Sequence, residues 1–351
     1  MKKDDIIKFG GYHPDFDEEI QYYKEGKIYS VQIESNLACP QGCMYCYASN
    51  ESMRLQELSK EDIISVLNSA AGMEVKAIDW LGGDPLLRKD WYELMKYAND
   101  KGMTNNIWTS GIPLKDFEIA TKVVDASKDG FVSVHLDTLN ERLYKKLHTG
   151  DPKSKINAIL QGVDNVQKLG KPPAQMINCI TFTKLVSTDV EKTMKYFFEK
   201  KGMRTCLTQM CPEGLAKKHI EWLPNHEEIK NACEARDRIN YPESKVSMGT
   251  MDVNKFYCGG IVCVTIDGDV TPCSVIRKSF GNIHDLPLEK IVDEQKNELI
   301  FMHLRNHENL PEKCGSCENN SICWGCRAAA YYRDGDICGI DPNCYKNNIK
   351  E

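Results

Sequence analysis

The sequence predicts an α/β fold, a parallel sheet built from strand–helix repeats, followed by a small cysteine-rich region. Three observations predict it. Apolar strand-like runs alternate with amphipathic stretches over the first two-thirds of the chain. Such alternation implies parallel strands joined by right-handed crossovers. The C-terminal third then loses this rhythm and becomes short-segmented, turn-rich and crowded with cysteine.

In order, the strand-like runs are residues 28–33, 75–81, 105–109, 130–136, 175–182 and 204–210. Ser59-Lys60-Glu61-Asp62 reads as a capping-box-like helix start before Ile63, Ile64, Val66 and Leu67. Further helical patterns cover 91–99, 114–126, 155–169 and 190–200. Gly72, Gly102 and Gly170 fall where helices should end, and a left-handed cap suits glycine there. In such a sheet, functional groups gather at the carboxyl ends of the strands. Past Cys211 the repeat stops, a polar helix covers 225–238, and a domain boundary is expected at 240–247. The expected organisation is an N-terminal extension (1–27), a strand–helix domain (28–240) and a cysteine-rich domain (241–351).

Lys+Arg number 45 and Asp+Glu 51, a formal charge of −6. That mild acidity gives no electrostatic footprint for nucleic acid. No apolar run approaches the roughly 20 residues of a membrane span. The charged start, Met1-Lys2-Lys3-Asp4-Asp5, does not lead into a signal peptide. The expectation is a cytoplasmic protein with no nucleic-acid or membrane partner. In that reducing setting, 16 cysteines read as metal ligands rather than disulfides.

Their spacing sorts them. Cys39, Cys43 and Cys46 follow the first strand on one loop, where three thiols can converge. Tetrahedral zinc would want a fourth ligand, and no nearby His or Cys supplies one. Three thiolates on a [4Fe–4S] cluster leave one iron open for a chelating cofactor. The C-terminal set runs Cys258-x4-Cys263-x9-Cys273, then Cys314-x2-Cys317-x5-Cys323-x2-Cys326-x17-Cys344. Residues 262–266 and 270–273, joined by Asp267-Gly268-Asp269, read as a hairpin. Eight thiolates fill two four-ligand clusters, and two zinc sites fit that count equally well.

Cys-x3-Cys-x-aromatic-Cys after a first strand resembles the radical S-adenosylmethionine (SAM) superfamily. The resemblance implies a partial (β/α)6 TIM-like barrel with Cys39, Cys43 and Cys46 as cluster ligands and Tyr45 beside the adenine. Gly82-Gly83-Asp84-Pro85 is similar to the family's Gly-Gly-Glu-Pro turn, whose backbone meets the SAM amino group; Asp84 replaces the usual Glu. Thr109-Ser110-Gly111 resembles the Thr-Asn-Gly that often closes the third strand. His135-Leu136-Asp137 lies where relatives read Ser-Leu-Asp near the ribose. Ser110, His135 and Asp137 are therefore expected to touch SAM or substrate.

Residues 256–345 resemble the SPASM extension of these enzymes. The resemblance implies crossed ligation: Cys258, Cys263, Cys273 and Cys326 hold auxiliary cluster I, and Cys314, Cys317, Cys323 and Cys344 hold cluster II. Two spacings, Cys258-x4-Cys263 and Cys323-x2-Cys326, are tight, and Cys338 is an extra thiol that could replace a neighbour. The cofactors implied are SAM and three [4Fe–4S] clusters, in an oxygen-sensitive, anaerobic setting.

The activity implied is reductive cleavage of SAM to a 5′-deoxyadenosyl radical that abstracts hydrogen from an unactivated carbon. Electrons would come from a donor such as ferredoxin or flavodoxin, and the auxiliary clusters would accept one from the substrate. Some sulfatase-maturing relatives carry an Asp base after the third auxiliary cysteine. Ser274 stands there, so no general base is named. His135, Asp137 and Cys211 are the catalytic candidates, Cys211 because a thiol near that place returns a hydrogen atom in some epimerases. Cys179 and Cys206, inside strands, and Cys233 read as packing thiols.

Two substrate classes fit. A peptide or protein, oxidised or cross-linked, comes first. The alternative is a small metabolite such as a tetrapyrrole, sugar, nucleoside or amine. A third reading, a non-catalytic zinc or electron-transfer protein, explains the C-terminal cysteines but not the open three-cysteine loop. Only 38 residues precede Cys39, too few for the leader-binding winged helix of many peptide maturases. Residues 12–16 and Gln21-Tyr22-Tyr23 read as surface decoration, and Lys145, Lys146 and His148 as a solvated helix face.

Overall fold

The computed structural model describes residues 16–48, 56–242, 251–252 and 254–347. Residues 12–15, and 243–247 of the expected boundary, lie outside them. A leading helix, α1 (Phe16–Glu25), precedes six strands: β1 (Ser30–Asn36), β2 (Ala77–Gly82), β3 (Thr104–Trp108), β4 (Val132–His135), β5 (Met176–Phe182) and β6 (Arg204–Gln209). They lie side by side in chain order, each neighbouring pair parallel. The crossovers are α2 (Lys60–Gly72), α3 (Trp91–Asp100), α4 (Phe117–Ala126), the pair α5 (Glu141–Leu147) and α6 (Pro152–Lys168), and α7 (Val190–Lys201). Helices cover one face of the sheet and the barrel interior the other, so every residue of β1 is buried.

The local signals act as chemistry requires. The Ser59 hydroxyl accepts from the Asp62 amide at 3.0 Å and starts α2. Asn225 and Glu228 form a full capping box at the start of α8 (His226–Asn240). Gly102 and Gly170 take positive φ, 83° and 98°. Gly72 does not: it is the last residue of α2, and Glu74 takes the left-handed turn at φ 61°. The cause is the bond from Val75 N to Ala70 O (3.0 Å), which closes a Schellman motif and puts the left-handed position on Glu74.

The sheet does not stop at β1. After a short helix, α9 (Lys255–Cys258), the expected hairpin forms as β7 (Ile261–Val264) and β8 (Val270–Thr271), antiparallel to each other, with Gly268 at φ 82° in the turn. Strand β7 then pairs in parallel with β1, Gln32 opposite Cys263, making eight strands in all. Buried Glu34 of β1 receives both guanidinium arms of Arg277 at 2.8 Å and the Ile266 amide at 3.1 Å. Gln32 accepts from the Ser274 amide at 2.9 Å. The remaining helices are α10 (Leu288–Leu299), α11 (Glu312–Gly315) and α12 (Arg327–Asp334).

Helix α1 corrects the surface reading of Tyr22 and Tyr23. Both are buried, whereas Gln21 is exposed. The Tyr22 hydroxyl donates to Glu74 O at 2.8 Å. The Tyr23 ring packs edge-on to Phe256 at 5.1 Å and near Trp324 at 5.8 Å, under the Arg305 guanidinium at 4.3 Å. The leading helix thus ties the barrel to the cysteine-rich region. Among the described residues, no helix is long and apolar enough to cross a membrane.

Glu34→Gln should cost roughly 3 kcal/mol, the low end for a broken buried pair because Arg277 keeps some contact with water. A denaturant titration measures it. The double variant Glu34→Gln/Arg277→Met should recover much of the loss.

Candidate active site

At the end of β2 the chain makes a close approach that only glycine permits. A Cβ on Gly82 (φ 118°) would stand 2.1 Å from Asn36 O, and one on Gly83 2.2 Å from Ala38 O. The Gly83 amide donates to Asn36 O at 2.6 Å and the Asp84 amide to Ala38 O at 2.7 Å. These bonds fasten the turn to the segment that leads into Cys39. The cysteine loop is gripped from the other side as well. The Met44 amide donates to Leu147 O, the Thr149 amide to Gly42 O, and Cys43 bridges His148. Lys155 Nζ donates to Gln41 O at 2.8 Å.

This loop forms one wall of a cavity of about 750 Å³. Cys39, Cys43, Cys46 and Tyr45 line it, with Gly82, Gly83, Ser110, His135 and Cys211. Asp84, Pro85 and Asp137 are buried behind the wall rather than in it. The Asp84 carboxylate accepts from Thr109 Oγ1 (2.8 Å), Ser110 Oγ (2.6 Å), the Ser110 amide (2.9 Å) and the Leu86 amide (3.2 Å). Burial pushes its carboxyl up, against these bonds. Asp84 therefore pins the end of β2 to the end of β3, and the Ser110 hydroxyl is spent on it.

Asp137 is a hub. It is wholly buried and accepts from the Tyr45 hydroxyl, from His148 Nε2 (2.8 Å) and from the Thr181 amide (2.9 Å), with His135 Nε2 3.2 Å away. Burial alone would raise its pKa, but the charge and hydrogen bonds of His135 and His148 hold it below the usual carboxylate range. Burial likewise works against a charged His135, and Asp137 overcomes it, drawing His135 up to about 10. Burial lowers His148. Its Nδ1 finds no partner, which assigns the ring proton to Nε2, facing Asp137. His148 is thus a buried strut under the cysteine loop, unlike the solvated face the sequence implied; Lys145 and Lys146 are exposed as expected.

The strand alternation also aims residues into the cavity that sequence reasoning passed over. Beside the expected His135, Ser133 of β4, Thr181 of β5 and Thr208 of β6 line it, as do Cys179 and Cys206, which read from the sequence as packing thiols. From the C-terminal region come Tyr257, Ser274 and Val275. The signal was present as the period of two within each strand, but which face turns inward is set by pairing.

The profile of the radical SAM superfamily matches residues 33–197, and that of the SPASM iron–sulfur cluster-binding domain matches 257–318. The chain is a radical SAM enzyme with a SPASM domain. It is 26% identical over 342 residues to the AdoMet-dependent heme synthase of Methanosarcina barkeri, covering 90% of this chain and 95% of that protein. It is 24% identical over 344 residues to the PqqA peptide cyclase of Rhizobium meliloti, covering 89% and 86%. In fold it is similar to Streptococcus suis SuiB bound to precursor peptide SuiA (TM-score 0.65, 18% identity, 93% of this chain and 79% of that one). It is also similar in fold to anSMEcpe with bound AdoMet and Cp18Cys peptide (TM-score 0.67, 18% identity, 91% and 94%).

In this radical SAM chain the C-terminal thiols fall into neighbouring groups. Burial first, then the nearby Cys326 and Cys273 thiols, push Cys258 up. Cys263 is raised by burial and by Glu34, with Cys273 a lesser neighbour. Burial takes Cys323 to about 12, with Cys344 and Cys314 adding to it. Cys317 Sγ lies 3.5 Å from the Asn319 amide. Cys338 sits 3.0 Å from His303 Nε2, beside Asp336 and Arg327. Cys211 lies between the cavity and the Cys326–Cys273 group. Cys233, on the buried face of α8, is packed in the core.

Gly83→Ala should displace the cysteine loop and lower bound iron by about one cluster, read by iron analysis of the reconstituted protein. A second expectation follows from charge. His135 is raised above its usual 6.5, so its share of stability is full below pH 6.5 and fades as pH rises through about 10. Asp137 is depressed below 3.8, so its share is full above that value and fades only as pH falls beneath it. The stability gap between wild type and Asp137→Asn should be widest between about pH 4 and 6.5 and narrow towards pH 10. Thermal midpoints of the apo-protein across that range measure it.

Proposed function

We propose that the cavity generates a carbon radical on a peptide or protein segment and that the C-terminal cysteines take up an electron from it, giving an oxidised or cross-linked product. One observation carries this reading: a single cavity has the Cys39–Cys46 loop on one wall and residues flanking the auxiliary cysteines, Tyr257 and Ser274, on the other.

The donor set fits a [4Fe–4S] cluster with an open iron. Three thiols share one loop and one cavity wall. Burial and the adjacent Cys39 and Cys46 push the Cys43 thiol up, a cost that binding a thiophilic cation relieves. Cys39, Cys43 and Cys46 would hold that cluster; Cys258, Cys263, Cys273 and Cys326 would hold the first auxiliary cluster, and Cys314, Cys317, Cys323 and Cys344 the second. With SAM bound, the first cluster supplies a 5′-deoxyadenosyl radical, and the hard chemistry is the cofactor's.

The chain's own residues position and exclude. The amides of Gly83 and Asp84 are already given to Asn36 and Ala38, so a ligand ammonium at this turn meets carbonyl oxygen. Tyr45, fixed by Asp137 and His135, presents its ring to the cavity. Asp137 and Asp84 hold the strand ends from behind. Among the described lining residues Asp252 is the one carboxylate, His135 the one imidazole, and there is no Lys or Arg; thiols, hydroxyls, amides and apolar groups make up the rest. Such a lining suits a peptide segment of low charge. The peptide named for the cyclase relative, and the peptides in the SuiB and anSMEcpe structures, support it.

The heme synthase relatives favour a second reading, an iron tetrapyrrole. Titration with an iron coproporphyrin distinguishes them: a saturable shift of its Soret band at stoichiometric protein would overturn the peptide reading. Reconstitution under argon should load about twelve irons per chain, four per cluster. Cys43→Ala should retain about eight and lose all 5′-deoxyadenosine formation. Cys317→Ala should keep uncoupled SAM cleavage without product.

A further inference from the structure

The inner wall of the barrel carries two thiols that the proposed reaction does not use. Cys179 of β5 and Cys206 of β6 are register partners in neighbouring parallel strands. Strand partners stand about 4.8 Å apart. That lies inside the roughly 4.4–6.8 Å that a disulfide accepts between Cα atoms. Both side chains line the cavity shared with Cys39, Cys43 and Cys46, and both are largely buried, 7% and 4% exposed.

Their surroundings are not those of inert packing thiols. Cys206 rests on Phe131, Ile177 and Trp108 on one side. On the other, the two thiols are in hydrogen-bonding contact with each other, and Cys179 also meets His135 and, at 3.8 Å, Thr208 Oγ1. His135 in turn touches Tyr45 of the cysteine loop at 2.8 Å. The Cys206 thiol first, and His135 after it, outweigh burial and hold Cys179 down to about 6. These contacts favour a Cys179 thiolate that accepts from the Cys206 thiol.

We propose that Cys179 and Cys206 form a redox-active dithiol that gives hydrogen atoms to carbon-centred radicals in the cavity and closes to a disulfide. The steps balance without an added oxidant. A carbon radical, which the enzyme's chemistry supplies, takes the hydrogen atom of the Cys206 S–H; a C–H bond forms and the S–H bond breaks. The Cys206 thiyl radical joins the Cys179 thiolate as a disulfide radical anion. A second carbon radical takes one electron from that anion and one proton from water, leaving a second C–H bond and a neutral disulfide. Two radicals are quenched for each disulfide formed. A dithiol reductant restores the pair by thiol–disulfide exchange. The pair is then a sink for radicals that form when the cavity holds no substrate.

The holoenzyme is turned over anaerobically with SAM and dithionite in D2O, without substrate or added thiol. Deuterium is expected in most of the early 5′-deoxyadenosine, and alkylation followed by mass spectrometry should find a peptide pair cross-linked through Cys179 and Cys206. Cys206→Ala should lower the deuterium fraction several-fold and remove the cross-link, while iron content stays that of wild type. Deuterium unchanged in the variant, or both cysteines recovered separately alkylated from wild type, overturns the proposal. A parallel arm treats the holoenzyme with diamide and omits SAM. The same cross-link is expected there, and its absence overturns the dithiol even if no SAM is cleaved. Failure to form any 5′-deoxyadenosine strikes instead at the cluster assignment, so the two failures are told apart.

Discussion

The structure depends on one close approach, the backbone of Gly82 and Gly83 lying against Asn36 and Ala38. Two neighbouring parallel strands end there, and the amides just past the second are given to carbonyls at and just past the end of the first. A side chain at either glycine would drive the strand ends apart. The loop that begins at Cys39 leaves from this contact. Its position relative to the cavity is therefore fixed by backbone hydrogen bonds rather than by the thiols themselves. Asp84 extends the same logic one strand further, tying the turn to Thr109 and Ser110.

Around that contact two buried carboxylates have their oxygens fully engaged. Asp137 gathers Tyr45, His135, His148 and the Thr181 amide, and Glu34 gathers Arg277 and the Ile266 amide. A buried carboxylate is tolerable only when its oxygens are so occupied. Each hub joins elements distant in sequence: the first fastens β4 to the cysteine loop, and the second fastens β1 to the C-terminal region. Two charged residues thus do what an apolar core alone would do less selectively, since a carboxylate with missing partners is heavily penalised and the register is unique.

Much of this was legible in the sequence. The six barrel strands, their helices and the three-cysteine loop follow from alternation, from Ser59 as a cap, and from cysteine spacing. The rest depended on pairing that a single sequence does not print. Nothing local in Ile261–Val264 says that its partner is β1, more than 220 residues earlier in the chain. Tyr22 and Tyr23 look like surface aromatics until Tyr29 closes on the first and Phe256 and Trp324 on the second. His148 sits close to two exposed lysines in sequence, yet it lies just past the end of α5 in extended backbone, bridged to Cys43, and turns inward onto Asp137. Cys179 and Cys206 read as packing because each alone is a small apolar residue in a strand; their meaning comes from standing opposite each other. Gly72 fails for a subtler reason, since the hydrogen-bond pattern at the end of α2, not the residue, chooses which position turns left-handed.

The pairing of β7 with β1 has a consequence for chemistry. Because the C-terminal hairpin extends the barrel sheet, the cysteine-rich region cannot drift relative to the cavity without breaking β-ladder bonds and the Glu34–Arg277 pair. Ser274 and Tyr257, which flank cysteines of that region, are held on the cavity wall by Gln32. Cys211 stands between the cavity and the Cys326–Cys273 group. The thiols on both sides of the cavity therefore belong to one rigid frame. In the proposed reaction, a substrate seated between them would meet the site of hydrogen removal and the route for electron removal at once. That geometry favours a product formed by oxidation. The same enclosure makes a hydrogen-donating dithiol on the wall useful, because a radical formed there has the wall itself as its nearest alternative target.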